Sequence, residues 1–539
     1  MIRKLLLLFF LFFLALSPTQ AQRDIPRMDQ IDVLQYVFEL QLSDETDEVR
    51  GAATVAVRFL KPLDSFQLDL TKKDALSGKG MLVSKLEEDG QAVPFSQEKQ
   101  TLTIHLNETA AKGVIHTYRI EYRGIPADGL IISKNKYGQR TFFGDNWPNR
   151  AHNWLPTVDH PSDKATVEFI VTAPDHYQVV ANGFQLEETN LTDNLKLTHW
   201  KEETPLPTKV MVIGAARFGV QRAGEVDGVP VSSWVYPQDR KAGFYDYSQA
   251  MEVLHFFVEN IGDYPFEKLA NVQSKTRYGG MENAGNIFYF ENSVTGDRSH
   301  EDLLAHEIGH QWFGDSASEK NWFHIWLSEG FATYLADLYI ENKYGKAKFR
   351  QRLKTERKKA LEFGKQKQAP VIDTTILDYN QLLNPNSYQK GGWALHMLRR
   401  KVGEENFWKG LQAYYQKFRD GNALTEDFRK VMEEVSGEDL EDFFKQWLYR
   451  PGNPSVEVEW ELKTDGSLHL SVKQTQAGDA FRFPLDIEAV NATTEQSQRW
   501  TIEVASKESE FDLKCDFVPS KIILDPDTRL LFSAKVSEN

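Results

Sequence analysis

The chain has 539 residues, 41% hydrophobic and 12% aromatic, enough apolar material for about three domain cores and too much for wholesale disorder. A formal charge of −15 argues against nucleic acid as a partner, because neutralising phosphates needs clustered Lys and Arg. With Cys515 alone, no intrachain disulfide can form, so stability must come from the cores.

Residues 1–21 have the pattern of a signal peptide. Arg3 and Lys4 precede an apolar run from Leu5 to Leu16, Ser17-Pro18 breaks it, and Thr19-Gln20-Ala21 offers a cleavage site before Gln22. The run is shorter than the roughly twenty residues a bilayer span requires. These features predict export, to a bacterial periplasm or the medium, with no stable membrane insertion after signal cleavage. Residues 22–218 then alternate with period two, as in Tyr36, Phe38, Leu40 and Leu42 and again in Val167, Phe169 and Val171, which predicts an antiparallel β domain.

The pattern turns helical over residues 219–452. Tyr245–Asn260 reads as one helix and Leu269–Ser274 as a strand. Helical spacing follows in Ser299–Phe313, Ser328–Asn342, Lys346–Phe363, Gly392–Val402, Glu404–Asp420, Thr425–Val435 and Glu438–Tyr449. Arg450-Pro451-Gly452-Asn453-Pro454 punctuates the chain. Beyond it Val456, Val458, Trp460 and Leu462 alternate with acids, so residues 453–539 read as a small β-sandwich. The fold class is multidomain α+β.

The chemistry concentrates in His306-Glu307-Ile308-Gly309-His310. Residues four apart share a helix face, so both imidazoles can address one ion, and Glu307, about 100° round, stands beside it as a base for bound water. Ser299 with Asp302 resembles a capping box for this helix. A catalytic zinc needs a third protein ligand and one open position. Glu329, in the next helical run, is the candidate, which completes a set of His306, His310 and Glu329 for one zinc ion. His300, His324 and His396 read as packing or surface residues, and Trp312, Trp322 and Trp326 as core around the two helices.

Tyr278-Gly279-Gly280-Met281-Glu282-Asn283, the zinc motif, the later Glu329 and Tyr388-Gln389-Lys390-Gly391 occur in that order. Together they resemble the aminopeptidase N / leukotriene hydrolase family of zinc metallopeptidases, in a short form without the long helical C-terminal domain. The resemblance implies a saddle-like β N-terminal domain, a thermolysin-like catalytic domain and peptide substrates with free N-termini. It further implies that Glu282 binds the substrate amine, that Gly279 and Gly280 let a substrate strand approach, and that Tyr388 stabilises the oxyanion. The family's Gln or Glu that also grips the amine is missing from Phe143-Gly144-Asp145-Asn146-Trp147, where Asp145 or Asn146 is the expected substitute. A thermolysin-type endopeptidase, which does not need Glu282, is one alternative. A non-catalytic zinc-bearing peptide-binding module is the other, although it would have no use for Glu307 and Tyr388.

Overall fold

The computed structural model describes residues 28–538, so the signal-peptide reading of residues 1–21 lies outside it. An eight-stranded sheet dominates the first 210 residues, with Ile31–Gln41 near its middle. That strand runs antiparallel to Val49–Phe59 but parallel to Lys164–Pro174, where Phe38 sits opposite Phe169. The parallel pair differs from the all-antiparallel expectation. Period two specifies a strand with one buried face, and it says nothing of the neighbour's direction when more than a hundred residues lie between the two. Tyr36, Phe38, Leu40, Val167, Phe169 and Val171 all point into the core beneath this sheet.

A five-stranded sheet leads into the helical region, in the order Gly219–Val226, Val229–Val235, Leu269–Ser274, Asn286–Phe290 and Gly280–Met281. The strand expected at Leu269–Ser274 forms with those bounds. The helix expected over Tyr245–Asn260 is two helices, Arg240–Tyr247 and Ala250–Ile261. Between them the Ser248 hydroxyl bonds the Tyr245 carbonyl and the Gln249 amide bonds the Asp246 carbonyl, so side chains compete with the helical ladder at the break. Glu301–His310 and Trp326–Tyr344 pack against each other, with Trp312, Trp322 and Trp326 buried around them as expected. Ser299 does not cap the first of these helices: its hydroxyl faces Thr295 at 3.1 Å and its N–H faces Asp297. Glu301 and Asp302 in the first turn complement the helix dipole instead.

Residues 455–538 form a four-stranded and a three-stranded sheet, and here too Ser455–Leu462 pairs in parallel with the last strand, Ser533–Glu538. Among the described residues no helix is long and apolar enough to cross a membrane.

Buried polar contacts tie the large β-sheet region to the helices. Lys209 forms a fully buried ion pair with Glu319 at 2.7 Å, and Lys164 donates to the carbonyls of Asp315 and Ser316. Burial opposes the charge on both ammonium groups. At Lys209 the nearby Glu319, Glu282 and Asp315 together outweigh it, whereas Lys164 is pushed down to about 7. Both lysines meet the segment 315–319 downstream of His310, so they help hold the two regions in register where the candidate site lies.

Candidate active site

Helical geometry brings His306 and His310 together, and the packing of the next helix adds Glu329. The two Nε2 atoms are 3.1 Å apart, and Glu329 Oε2 lies 3.4 Å from His306 Nε2 and 3.3 Å from His310 Nε2. A tetrahedral zinc with donors at about 2.0–2.1 Å requires donor separations of roughly 3.3–3.4 Å. The three residues therefore fit a zinc ion without rearrangement. Behind them, His310 Nδ1 faces Ser328 Oγ at 2.9 Å and the Phe313 carbonyl at 3.4 Å. A proton on Nδ1 serves these partners and leaves the Nε2 lone pair turned to the ion. Burial alone would raise the Glu329 carboxyl, but the His310 and His306 imidazoles beside it hold it well below the usual carboxylate range. His300, His324 and His396 belong to no metal-suited cluster among the described residues; His324 bonds Thr425, and His396 bonds Tyr334 and Thr528.

Glu307 projects beside this triangle and is buried. Its carboxyl is pushed far up by burial and by the neighbouring Glu282 and Glu329, against the pull of His310. Space for it comes from Gly280: a Cβ there would fall 2.3 Å from Glu307 Oε1 and 2.4 Å from its Cδ. The sequence reading explains Gly280 by backbone approach of a substrate, and the structure adds the close approach of the Glu307 carboxyl group. Gly280→Ala is therefore expected to leave folding and zinc content nearly intact, because the flexible end of Glu307 can swing away. kcat should fall about 100-fold, the cost of a base displaced by roughly 1 Å. Steady-state kinetics beside metal analysis checks this, and unchanged kcat would mean that Glu307 sits elsewhere during turnover.

Gly280–Met281 is the edge strand of the five-stranded sheet, paired on one side only, with Gly280 opposite Tyr289 and Met281 opposite Phe288. Gly279 meets nothing closer than Leu303 at 3.8 Å. The free edge suits addition of an extended peptide. Glu282 follows at once. It is 5% exposed, one carboxylate oxygen has no hydrogen-bond partner, and it shares a cluster no wider than 4.8 Å with Glu307 and His310. Asn283 is buried with its side-chain amide unpartnered.

Tyr388 lies in a π-helical turn, Asn386–Lys390, its ring stacked on His306 at 5.9 Å between centroids. Burial first, then the Glu329 carboxylate and a hydrogen bond to it, keep the phenol well above its usual range. The turn reaches Glu329 because Gly330 and Gly391 touch, with Cα–Cβ distances of about 3 Å were either to carry a side chain. Lys390 anchors the turn from behind by donating to the Gly452 carbonyl at 2.7 Å.

Asp145 and Asn146 depart from the expected substrate contact. Asp145 is fully buried, ion-paired with Arg150, and accepts from Thr276 Oγ1 and the Arg277 N–H. Asn146 accepts from Trp154 Nε1 and donates to the Thr208 and Met211 carbonyls. Their polar atoms are committed to the scaffold, where Asp145 steadies the segment leading into Tyr278. Tyr278 itself meets Trp147 edge to face at 6.0 Å. The sequence reading missed Ser328 and Gly330, although both flank Glu329; it had no signal for Lys209, whose partner is over a hundred residues away.

Residues 245–447 match the Peptidase family M1 domain, and residues 33–210 match the Peptidase M1 N-terminal domain. The chain is 24% identical over 512 residues to probable aminopeptidase 2 of Sulfurisphaera tokodaii, across 88% of this chain and 63% of that protein. It is 26% identical over 407 residues to the leucyl aminopeptidase of Saccharolobus solfataricus, across 71% of this chain and 50% of that one. It thus spans between half and two thirds of the length of these relatives. In fold it resembles a crystal structure of a variant M1 zinc metallopeptidase from Deinococcus radiodurans, with a TM-score of 0.66 at 24% identity, over 78% of this chain and 94% of that one. With both domains matched, and with the residues of the site falling within the catalytic match, the chain belongs to peptidase family M1.

Proposed function

We propose that this protein is a zinc aminopeptidase that removes single residues from peptide N-termini, with one zinc ion held by His306, His310 and Glu329. The observation that carries the reading is Glu282, a buried carboxylate with an unpartnered oxygen beside Glu307 and His310. A buried polar atom without a partner is costly, and a substrate α-ammonium relieves that cost. Within one residue the α-nitrogen and the carbonyl carbon are only about 2.5 Å apart. An amine gripped by Glu282 therefore brings the first carbonyl to Glu307, and no later one. An endopeptidase has no use for an anion at this place, and a binding module has none for a base.

The chain's residues divide the work. Gly279 and Gly280 admit the substrate backbone along the open edge strand. Glu307 takes a proton from the attacking water and later delivers it to the leaving amine. The Tyr388 hydroxyl donates a hydrogen bond to the carbonyl oxygen as it gains negative charge. Zinc, when bound, supplies Lewis-acid polarisation and acidifies water. The basic start and apolar run of residues 3–16 support an extracytoplasmic site of action.

Protein released from the periplasm of an expressing bacterium is expected to begin at Gln22 and to hydrolyse amino-acid arylamides, with activity abolished by chelation and restored by zinc. N-acetylated peptides cut internally, with arylamides untouched, would replace the aminopeptidase by an endopeptidase. Binding of peptides without cleavage of either would leave a binding module, and an N-terminus still carrying residues 1–21 would remove the export assignment.

A further inference from the structure

Gln311, the residue after His310, is fully buried, and the chemistry above does not use it. Its side-chain amide is satisfied at all four positions. Nε2 donates to the Glu282 carbonyl at 2.7 Å and to Asp315 Oδ2 at 2.9 Å, while Oε1 accepts from the Gly285 N–H at 2.8 Å and lies 3.0 Å from the Tyr264 hydroxyl. The Glu282 carbonyl can only accept and the Gly285 N–H can only donate, so a flipped amide would set like groups against each other at both backbone contacts.

Two of the four partners, Glu282 and Gly285, close the base of the loop that carries the amine anchor. The loop's own polar side chains do little to hold it, since Glu282 Oε1 and both ends of the Asn283 amide lack partners. Other ties are a turn from the Asn286 N–H to the Asn283 carbonyl and the Asn182 amide on the Ala284 carbonyl, 2.8 Å each, with the Ala270 N–H at 3.0 Å and Lys268 Nζ at 3.3 Å on the Gly285 carbonyl. Gln311 alone among these contacts belongs to the segment that carries His306 and His310.

We propose that Gln311 is a positioning residue that sets the distance between the amine anchor Glu282 and the metal set. The inference rests on the aminopeptidase reading. Glu282 must hold the ammonium while the adjacent carbonyl meets Glu307, and the spacing tolerates little error. Gln311 couples the Glu282 backbone to the end of the His306/His310 helix through one side chain, so anchor and metal set move together.

A double-mutant cycle tests this. Gln311→Met keeps length and approximate volume and removes all four bonds, whereas Gln311→Glu keeps an accepting oxygen toward Gly285 and Tyr264 and loses donation to both the Glu282 carbonyl and Asp315 Oδ2. In the otherwise wild-type protein, Gln311→Met is expected to lower kcat/KM for amino-acid arylamides about 100-fold at unchanged zinc content. Gln311→Glu should also lower it, because its second oxygen repels the Glu282 carbonyl and Asp315, and it carries the test if the Met variant does not fold. In a Glu282→Ala background the same substitutions should change kcat/KM by no more than about twofold, because their target is gone. Amide hydrogen exchange across residues 282–286 should accelerate in Gln311→Met and stay unchanged across residues 301–308. Equal losses on both backgrounds, or unchanged exchange at 282–286, would overturn the positioning role. Failure of the unmodified protein to cleave any arylamide would count against the aminopeptidase reading instead, and the exchange measurement then decides the role of Gln311 alone.

Discussion

Glu307→Gln is expected to lower kcat on the order of 10³- to 10⁴-fold while bound zinc stays at the unmodified level. The substitution preserves shape, so the side chain still packs on Gly280. It removes the ability to accept and return a proton. Stability should not suffer, because burial and the nearby Glu282 and Glu329 already oppose a charge at this position. Steady-state kinetics on arylamides, metal analysis and a thermal melt together check the prediction. Substantial residual activity would transfer the base role to another group, with Glu282, within 4.8 Å of Glu307, the candidate. Loss of zinc would instead place Glu307 among the ligands, against the His306, His310 and Glu329 triangle.

Tyr388→Phe carries the second large effect, an expected fall in kcat of about 10²- to 10³-fold, or roughly 2.7–4 kcal/mol, with KM little changed. The ring that stacks on His306 remains, and the turn stays anchored through Lys390 and the Gly452 carbonyl. Only the hydroxyl is lost, and its hydrogen bond matters most when the carbonyl oxygen carries charge, so the loss belongs to the transition state. A raised KM with intact kcat would show that Tyr388 merely helps hold substrate.

The two predictions rest on features of different legibility. His306, Glu307 and His310 were readable because helical spacing over five residues decides which side chains share a face. Glu329 needed the added premise that two helices pack, and the packing of Glu301–His310 on Trp326–Tyr344 supplies it. Tyr388 and Glu282 were readable only through resemblance to a family. Nothing in the local pattern of either distinguishes a site residue from an ordinary one.

What the sequence determined by itself is therefore local and periodic. It includes the paired imidazoles, the strand Leu269–Ser274, the alternating strands of both ends, and the break at Arg450 to Pro454. The tertiary structure alone decided the rest. It sent Asp145 and Asn146 into the scaffold, because Arg150, Trp154 and the backbone around Thr208 and Arg277 claim their polar atoms. It ran Ile31–Gln41 parallel to Lys164–Pro174, and it set the Glu307 carboxylate against Gly280. It also enclosed Gln311 between Glu282 and Gly285. Each of these depends on which distant groups meet, and side-chain spacing along a chain carries information about faces of one element, whereas partners across elements are selected by packing and by the need to satisfy every buried polar atom.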